Sequence, residues 1–132
     1  MKVTIAEACG FCYGVRRAVD MASQAETGTK TLGPIIHNPQ VVARLSAQGV
    51  APVDSLDEVG DGETVLIRSH GVGPSVYEEA SRRGIRVIDA TCPHVKKAQQ
   101  DAKKIVEEGK NLVIIGEKAH PEVISISQWG AN

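Results

Sequence analysis

The chain has 132 residues, 15 basic and 16 acidic side chains, a formal net charge of −1 and only 3% aromatics. That length suits about one ordinary domain or two very small ones sharing a core; the balanced charge and scarce aromatics argue against a nucleic-acid surface. Met1 leads straight into a strand-like run with no apolar segment long enough for a signal peptide or membrane span, so the cytoplasm is the expected compartment.

Val3–Ala8 reads as a first strand, and Cys9-Gly10-Phe11-Cys12-Tyr13-Gly14-Val15 as the turn that carries it into a helix. Glycines allow the backbone there to turn tightly and approach a ligand closely, and a thiol at a helix start faces unpaired N–H groups. The helix runs from Tyr13 to about Gln24, with Val15, Ala18, Val19 and Ala22 on one face and Arg16 and Arg17 on an exposed one. A short strand, Thr31–Leu32, precedes a helix with Asn38 as N-cap, Pro39 in its first turn and Gly49 just past its end. Val50–Val53 is the next strand, Leu56–Val59 a single helical turn, and Asp61-Gly62 the turn before strand Thr64–Arg68. A helix opening at Pro74 carries Val76, Tyr77 and Ala80 and stops at Gly84, after which Arg86–Asp89 forms a strand. Pro93 opens another helix, with Val95, Ala98, Ala102 and Ile105 at helical spacing, Lys103 and Lys104 facing solvent, and a stop at Gly109. Leu112–Ile115 is a last strand and Pro121 starts a fifth helix, whose Trp129 fits core or interface equally. The later strands are β-branched and barely alternate, as strands covered on both faces do. The fold class is therefore α/β, a mostly parallel sheet with helices on both faces.

Ligands of such sheets bind beyond the carboxyl ends of the strands. Five predicted strands lead there into a residue able to do chemistry: Cys12, His37, His70, Cys92 and His120. Prolines open the helices after the last four, so helix N–H groups point at the same region. Three histidines with several helix starts suit an anion, most naturally a phosphate or diphosphate, and two cysteines on the same rim suit a thiolate-held metal or cluster. In a reducing compartment three cysteines read as metal ligands or redox thiols rather than a disulfide framework. Each residue also has a plainer reading: a lone His after a strand is commonly a turn residue, Cys92 an inert buried thiol, and Glu122 a first-turn carboxylate favoured by the helix dipole. His94 serves as a control, lying at a helix start without a preceding strand and expected on the surface.

Gly10-Phe11-Cys12-Tyr13-Gly14-Val15, Ile36-His37-Asn38, Ser69-His70-Gly71-Val72, Asp89-Ala90-Thr91-Cys92-Pro93 and His120-Pro121-Glu122-Val123 together resemble the motifs of the 4-hydroxy-3-methylbut-2-enyl diphosphate reductases, the LytB family, in order and spacing along essentially the whole chain. The resemblance implies three α/β units around a [4Fe-4S] cluster and reductive removal of an allylic hydroxyl in the non-mevalonate isoprenoid pathway. It assigns Cys12 and Cys92 to the cluster, His37, His70 and His120 to the diphosphate, and Glu122 with His120 to proton delivery. It also implies a ferredoxin or flavodoxin as electron donor.

The family's third cluster cysteine, a threonine near the proton relay and a Ser-Ser-Asn group have no counterpart before Asn132. Residues 1–92 are accordingly expected to form the first unit and 93–132 an incomplete start of the second, with the third absent and the chain alone inactive. Cys9 matches no family ligand. Two alternatives stay open on the residues: a C-x-x-C thiol–disulfide oxidoreductase using Cys9 and Cys12, and a non-catalytic phosphate-binding fragment.

Overall fold

The structure, a computed structural model, describes residues 1–131. Four strands, β1 (Lys30–Leu32), β2 (Ala51–Val53), β3 (Thr64–Ile67) and β4 (Arg86–Asp89), form one wholly parallel sheet in the order β2-β1-β3-β4. Five helices accompany them: α1 (Tyr13–Ser23), α2 (Pro39–Ala47), α3 (Pro74–Arg82), α4 (Pro93–Glu107) and α5 (Pro121–Trp129), with a 3-10 turn at Leu56–Glu58. The predicted helix starts at Tyr13, Pro39, Pro74, Pro93 and Pro121 all hold.

Parallel pairing buries both faces of the sheet, and β3 records this directly. Val65, Leu66 and Ile67 have no exposed surface. Because side chains alternate along a strand, Leu66 packs with Ala18, Val19 and Ala22 of α1 and Leu45 of α2, while Val65 and Ile67 pack on the other face with Ala80 of α3 and with Leu56 and Val59. Helices thus cover both faces, as the apolar strand composition requires.

The strand order also locates the functional edge. From β1 the chain moves to β2 on one side, then returns past β1 to place β3 on the other. The switch therefore falls between β1 and β3, whose last residues, Leu32 and Ile67, are register partners. A crevice opens beyond the carboxyl ends of strands at such a point.

Two predicted strands are absent. Val3–Ala8 and Leu112–Ile115 carry no strand pairing: Val3 and Ile5 are 75% and 79% exposed, Val113 and Ile115 80% and 96%. Their composition is strand-like, but a strand exists only when its N–H and C=O groups meet a neighbouring ladder. Among the described residues neither run finds one. Consequently Cys12 and His120 do not follow strands of this sheet, and reach its rim by capping helices instead.

Leu66 is the apolar centre of this arrangement. Leu66→Ala is expected to lower stability by about 2–5 kcal/mol, measured by urea unfolding, through lost burial and a residual cavity; a loss below about 1 kcal/mol would contradict the core assignment.

Candidate functional site

Each loop at the sheet's carboxyl edge ends on a helix N-cap: Cys12 for α1, Asn38 for α2, Gly73 for α3, Cys92 for α4 and His120 for α5. The loops are fastened to one another by hydrogen bonds that continue the sheet beyond its last residues. Ser69 donates to Ile35 O from its amide (3.3 Å) and its hydroxyl (3.2 Å), and Cys92 N–H donates to Ser69 O (2.9 Å). These bonds place the loop before His37, the loop carrying His70 and the start of α4 side by side.

The three histidines converge. Ring centroids lie 4.5 Å apart for His37–His70, 5.8 Å for His37–His120 and 5.7 Å for His70–His120. One ring nitrogen from each falls within 4.8 Å of the others. His37 is exposed and the other two are partly buried. Burial, followed by the neighbouring His37, Arg68 and His120 charges, pushes the His70 imidazole down to about 4, so it is neutral at pH 7. Its Nδ1 is buried without a partner. At His120, Nδ1 accepts the Glu122 backbone N–H (3.3 Å). In its neutral form that ring keeps its proton on Nε2, which is then a donor. A metal would need a lone pair there instead. By distance the three rings could surround a cation; by hydrogen bonding the cluster favours an anion.

Both predicted cysteine ligands are free thiols at helix starts, Cys12 exposed and Cys92 half-buried. Neither makes a side-chain cap hydrogen bond, so the first N–H groups of α1 and α4 remain open toward negative charge. Gly14 brings the two elements together: a Cβ there would fall 2.5 Å from Cys92 Sγ and 3.0 Å from its Cβ, so the Cys92 sulfur packs against the bare backbone of α1. Soft thiolates beside open helix N-termini fit an iron–sulfur group from one side. Cys9 is exposed, and no disulfide forms among the described residues.

The loop bearing Cys92 has a support that the sequence reading missed. Arg17, placed there on an exposed face, is only partly exposed and donates to Thr91 O (3.2 Å) and Asp89 O (3.3 Å), joining α1 to the end of β4. β4 is an edge strand, and those carbonyls face its outer side, where among the described residues no strand donates to them. The Asp89 carboxylate is held by Lys96 Nζ, Thr91 N–H (2.9 Å) and Tyr77 O–H (3.3 Å). Burial opposes its charge, but the bonds from Lys96 and Thr91 outweigh burial and keep its carboxyl below the usual range.

Glu122 is partly buried in the first turn of α5. His94 is exposed, as expected of the control. Lys103 and Lys104 lie on the solvent face of α4, paired with Glu107 and Glu108 one turn later. Trp129 belongs to the packed interior edge: its Nε1–H donates to Val72 O (2.8 Å), and its ring lies 6.2 Å from that of Tyr77.

Comparison with known proteins agrees with this geometry. The chain is 49% identical to the 4-hydroxy-3-methylbut-2-enyl diphosphate reductase of Citrifermentans bemidjiense, over 99% of this chain and 47% of that protein. With the enzyme of the same name from Geobacter sulfurreducens it shares 50%, over 98% and 46%. A solved (E)-4-hydroxy-3-methyl-but-2-enyl diphosphate reductase, described as the terminal enzyme of the non-mevalonate pathway, superposes with a TM-score of 0.82 at 46% identity, covering 96% of this chain and 46% of that one. The corresponding reductase of Plasmodium falciparum gives 0.87 at 31% identity, over 91% and 39%. The chain therefore spans about half the length of the relatives it matches. None of these relatives is a thiol exchanger, and the Cys9/Cys12 exchange reading gains no support. The family model described as LytB protein matches residues 3–132, and the chain belongs to that family.

Proposed function

We propose that this chain is the N-terminal part of a cytoplasmic 4-hydroxy-3-methylbut-2-enyl diphosphate reductase, which removes the allylic hydroxyl of its substrate to give isopentenyl and dimethylallyl diphosphates. The observation that carries this reading is the convergence of three imidazoles on the rim where two cysteines cap neighbouring helices. Residues 1–92 form the first α/β unit and 93–132 the start of a second. The pairing of α4 with α5, without a strand of their own among the described residues, supports that division.

His37, His70 and His120 hold the diphosphate. One ring nitrogen from each lies within 4.8 Å of the others, a spacing that phosphate oxygens can bridge, and the locked tautomer of His120 offers Nε2–H as a donor. Diphosphate binding supplies the energy that fixes the allylic end toward the cysteines. Cys12 and Cys92 would hold a [4Fe-4S] cluster from this side of the site. When bound, the cluster supplies electrons, received from a ferredoxin or flavodoxin, and an iron acting as Lewis acid on the hydroxyl. Glu122 is the acid. Losing the hydroxyl as water takes one proton and closing the allyl carbon takes another, and Glu122 with His120 delivers them from the first turn of α5. The α5 dipole favours the carboxylate that remains after each transfer.

The 132-residue chain, loaded anaerobically with iron and sulfide and assayed with reduced viologen, is expected to show little or no turnover, whereas a chain of the relatives' full length turns over. In that longer protein Glu122→Gln is expected to lower kcat by about 10²–10⁴; turnover at the unmodified rate would remove Glu122 from the proton path.

A second expectation follows from the neutral His70. An incoming diphosphate favours its protonated form, so binding takes up a proton between about pH 4, where the free imidazole titrates, and the raised value in the complex. Calorimetry of inorganic pyrophosphate binding in buffers of different ionisation enthalpy should show greater proton uptake for the unmodified chain than for His70→Gln. Equal uptake would mean that His70 does not face the anion.

A further inference from the structure

We infer that Gln99 and Ser125 are positioning residues for the diphosphate site, seating α5 so that His120 meets His37 and His70. This rests on the diphosphate reading of the three histidines. His120 differs from the other two in how it reaches the rim. His37 and His70 follow β1 and β3, which the sheet holds in register. His120 follows residues 111–119, which contain no helix or strand and are largely exposed. Side contacts of α5 must therefore set its place.

Among the described residues, two side-chain hydrogen bonds tie α5 to other elements. Gln99 Nε2 donates to Ser125 Oγ at 2.5 Å, and both residues are 1% exposed. Trp129 Nε1–H donates to Val72 O, two residues after His70. Both contacts bear on the turn His70-Gly71-Val72. Gly71 has φ +70°, and a Cβ there would stand 2.9 Å from Thr91 Cγ2 and 3.1 Å from Ser125 Oγ, and would overlap Gln99. Only a bare backbone admits the Gln99–Ser125 pair at this place. The hydrogen bond thus lies directly beneath the turn that presents His70, and ties it to the helix that presents His120.

Position along the helix makes the arrangement sensitive. Ser125 is five residues beyond His120, about 7.5 Å along the axis. A shift of α5 at Ser125 passes to the N-cap because a short helix moves as a rigid body. Ser125→Ala leaves the Gln99 amide buried without a partner, and Gln99→Met does the same to the serine hydroxyl. Either change favours a rearrangement that moves α5 away from the turn.

The test uses the 132-residue chain with Ser125→Ala, Gln99→Met and, as control, His94→Ala. Two quantities are read: the dissociation constant for inorganic pyrophosphate, and the nuclear Overhauser contacts between the His120 ring and the rings of His37 and His70. The expected result is about tenfold weaker pyrophosphate binding in each of the two core variants, with weakened ring contacts, while His94→Ala keeps both unchanged. Folded core variants that retain the ring contacts at full strength overturn the proposal. If the unmodified chain fails to bind pyrophosphate, the diphosphate reading fails, and the ring contacts alone still decide whether Gln99 and Ser125 set the position of His120. Should one variant not fold, the other, on a different helix, carries both readouts.

Discussion

Ser69 donates twice to Ile35 O and accepts from Cys92 N–H, and the rest of the site depends on that junction. The sheet's ladder ends at Leu32, Ile67 and Asp89, yet His37, His70 and Cys92 lie several positions later. Loops of that length would wander without further pairing. Ser69 prolongs the hydrogen-bonding direction of the sheet into the loops, so that the approach to His37, the residue before His70 and the Cys92 N-cap keep the spacing of adjacent strands, about 4.8 Å. Ser69 is itself buried, so water does not compete for these bonds.

On this frame the two kinds of chemistry are separated by element rather than by distance along the chain. The imidazoles come from the loops after β1 and β3 and from the α5 cap, the thiols from the α1 and α4 caps. Burial keeps His70 neutral in the free protein, which limits the repulsion of three clustered imidazoles and leaves a site that an anion can charge. The Glu122 N–H on His120 Nδ1 adds a preference for hydrogen-bond acceptors over cations. Arg17 and Gly14 perform the matching task for the thiols: one fastens α1 to the end of β4, the other leaves room for the Cys92 sulfur.

Much of this was legible in the sequence because the signals were local. Four of the five helix starts announced themselves through proline, and the β-branched runs Thr64–Ile67 and Arg86–Asp89 through composition, so the residues just beyond them could be grouped before any coordinates. The failures are equally physical. Val3–Ala8 and Leu112–Ile115 have strand composition, but pairing is a property of neighbours, and the four strands that pair find theirs elsewhere. Arg17 was read from its position on a helix, whereas its partners stand 72 and 74 residues away. Gln99 did leave a trace: it falls on the same helical stripe as Val95 and Ala102, and a polar residue on an apolar stripe implies a buried partner. Its partner, Ser125, had no signal of its own.

The most direct measurement is a pyrophosphate titration of this chain followed through the imidazole resonances of its four histidines. His37, His70 and His120 are expected to shift together along one binding curve while His94 stays still. Independent curves for the three, or a His94 response as large as theirs, would contradict a single anion site built from the ends of β1, β3 and the loop before α5.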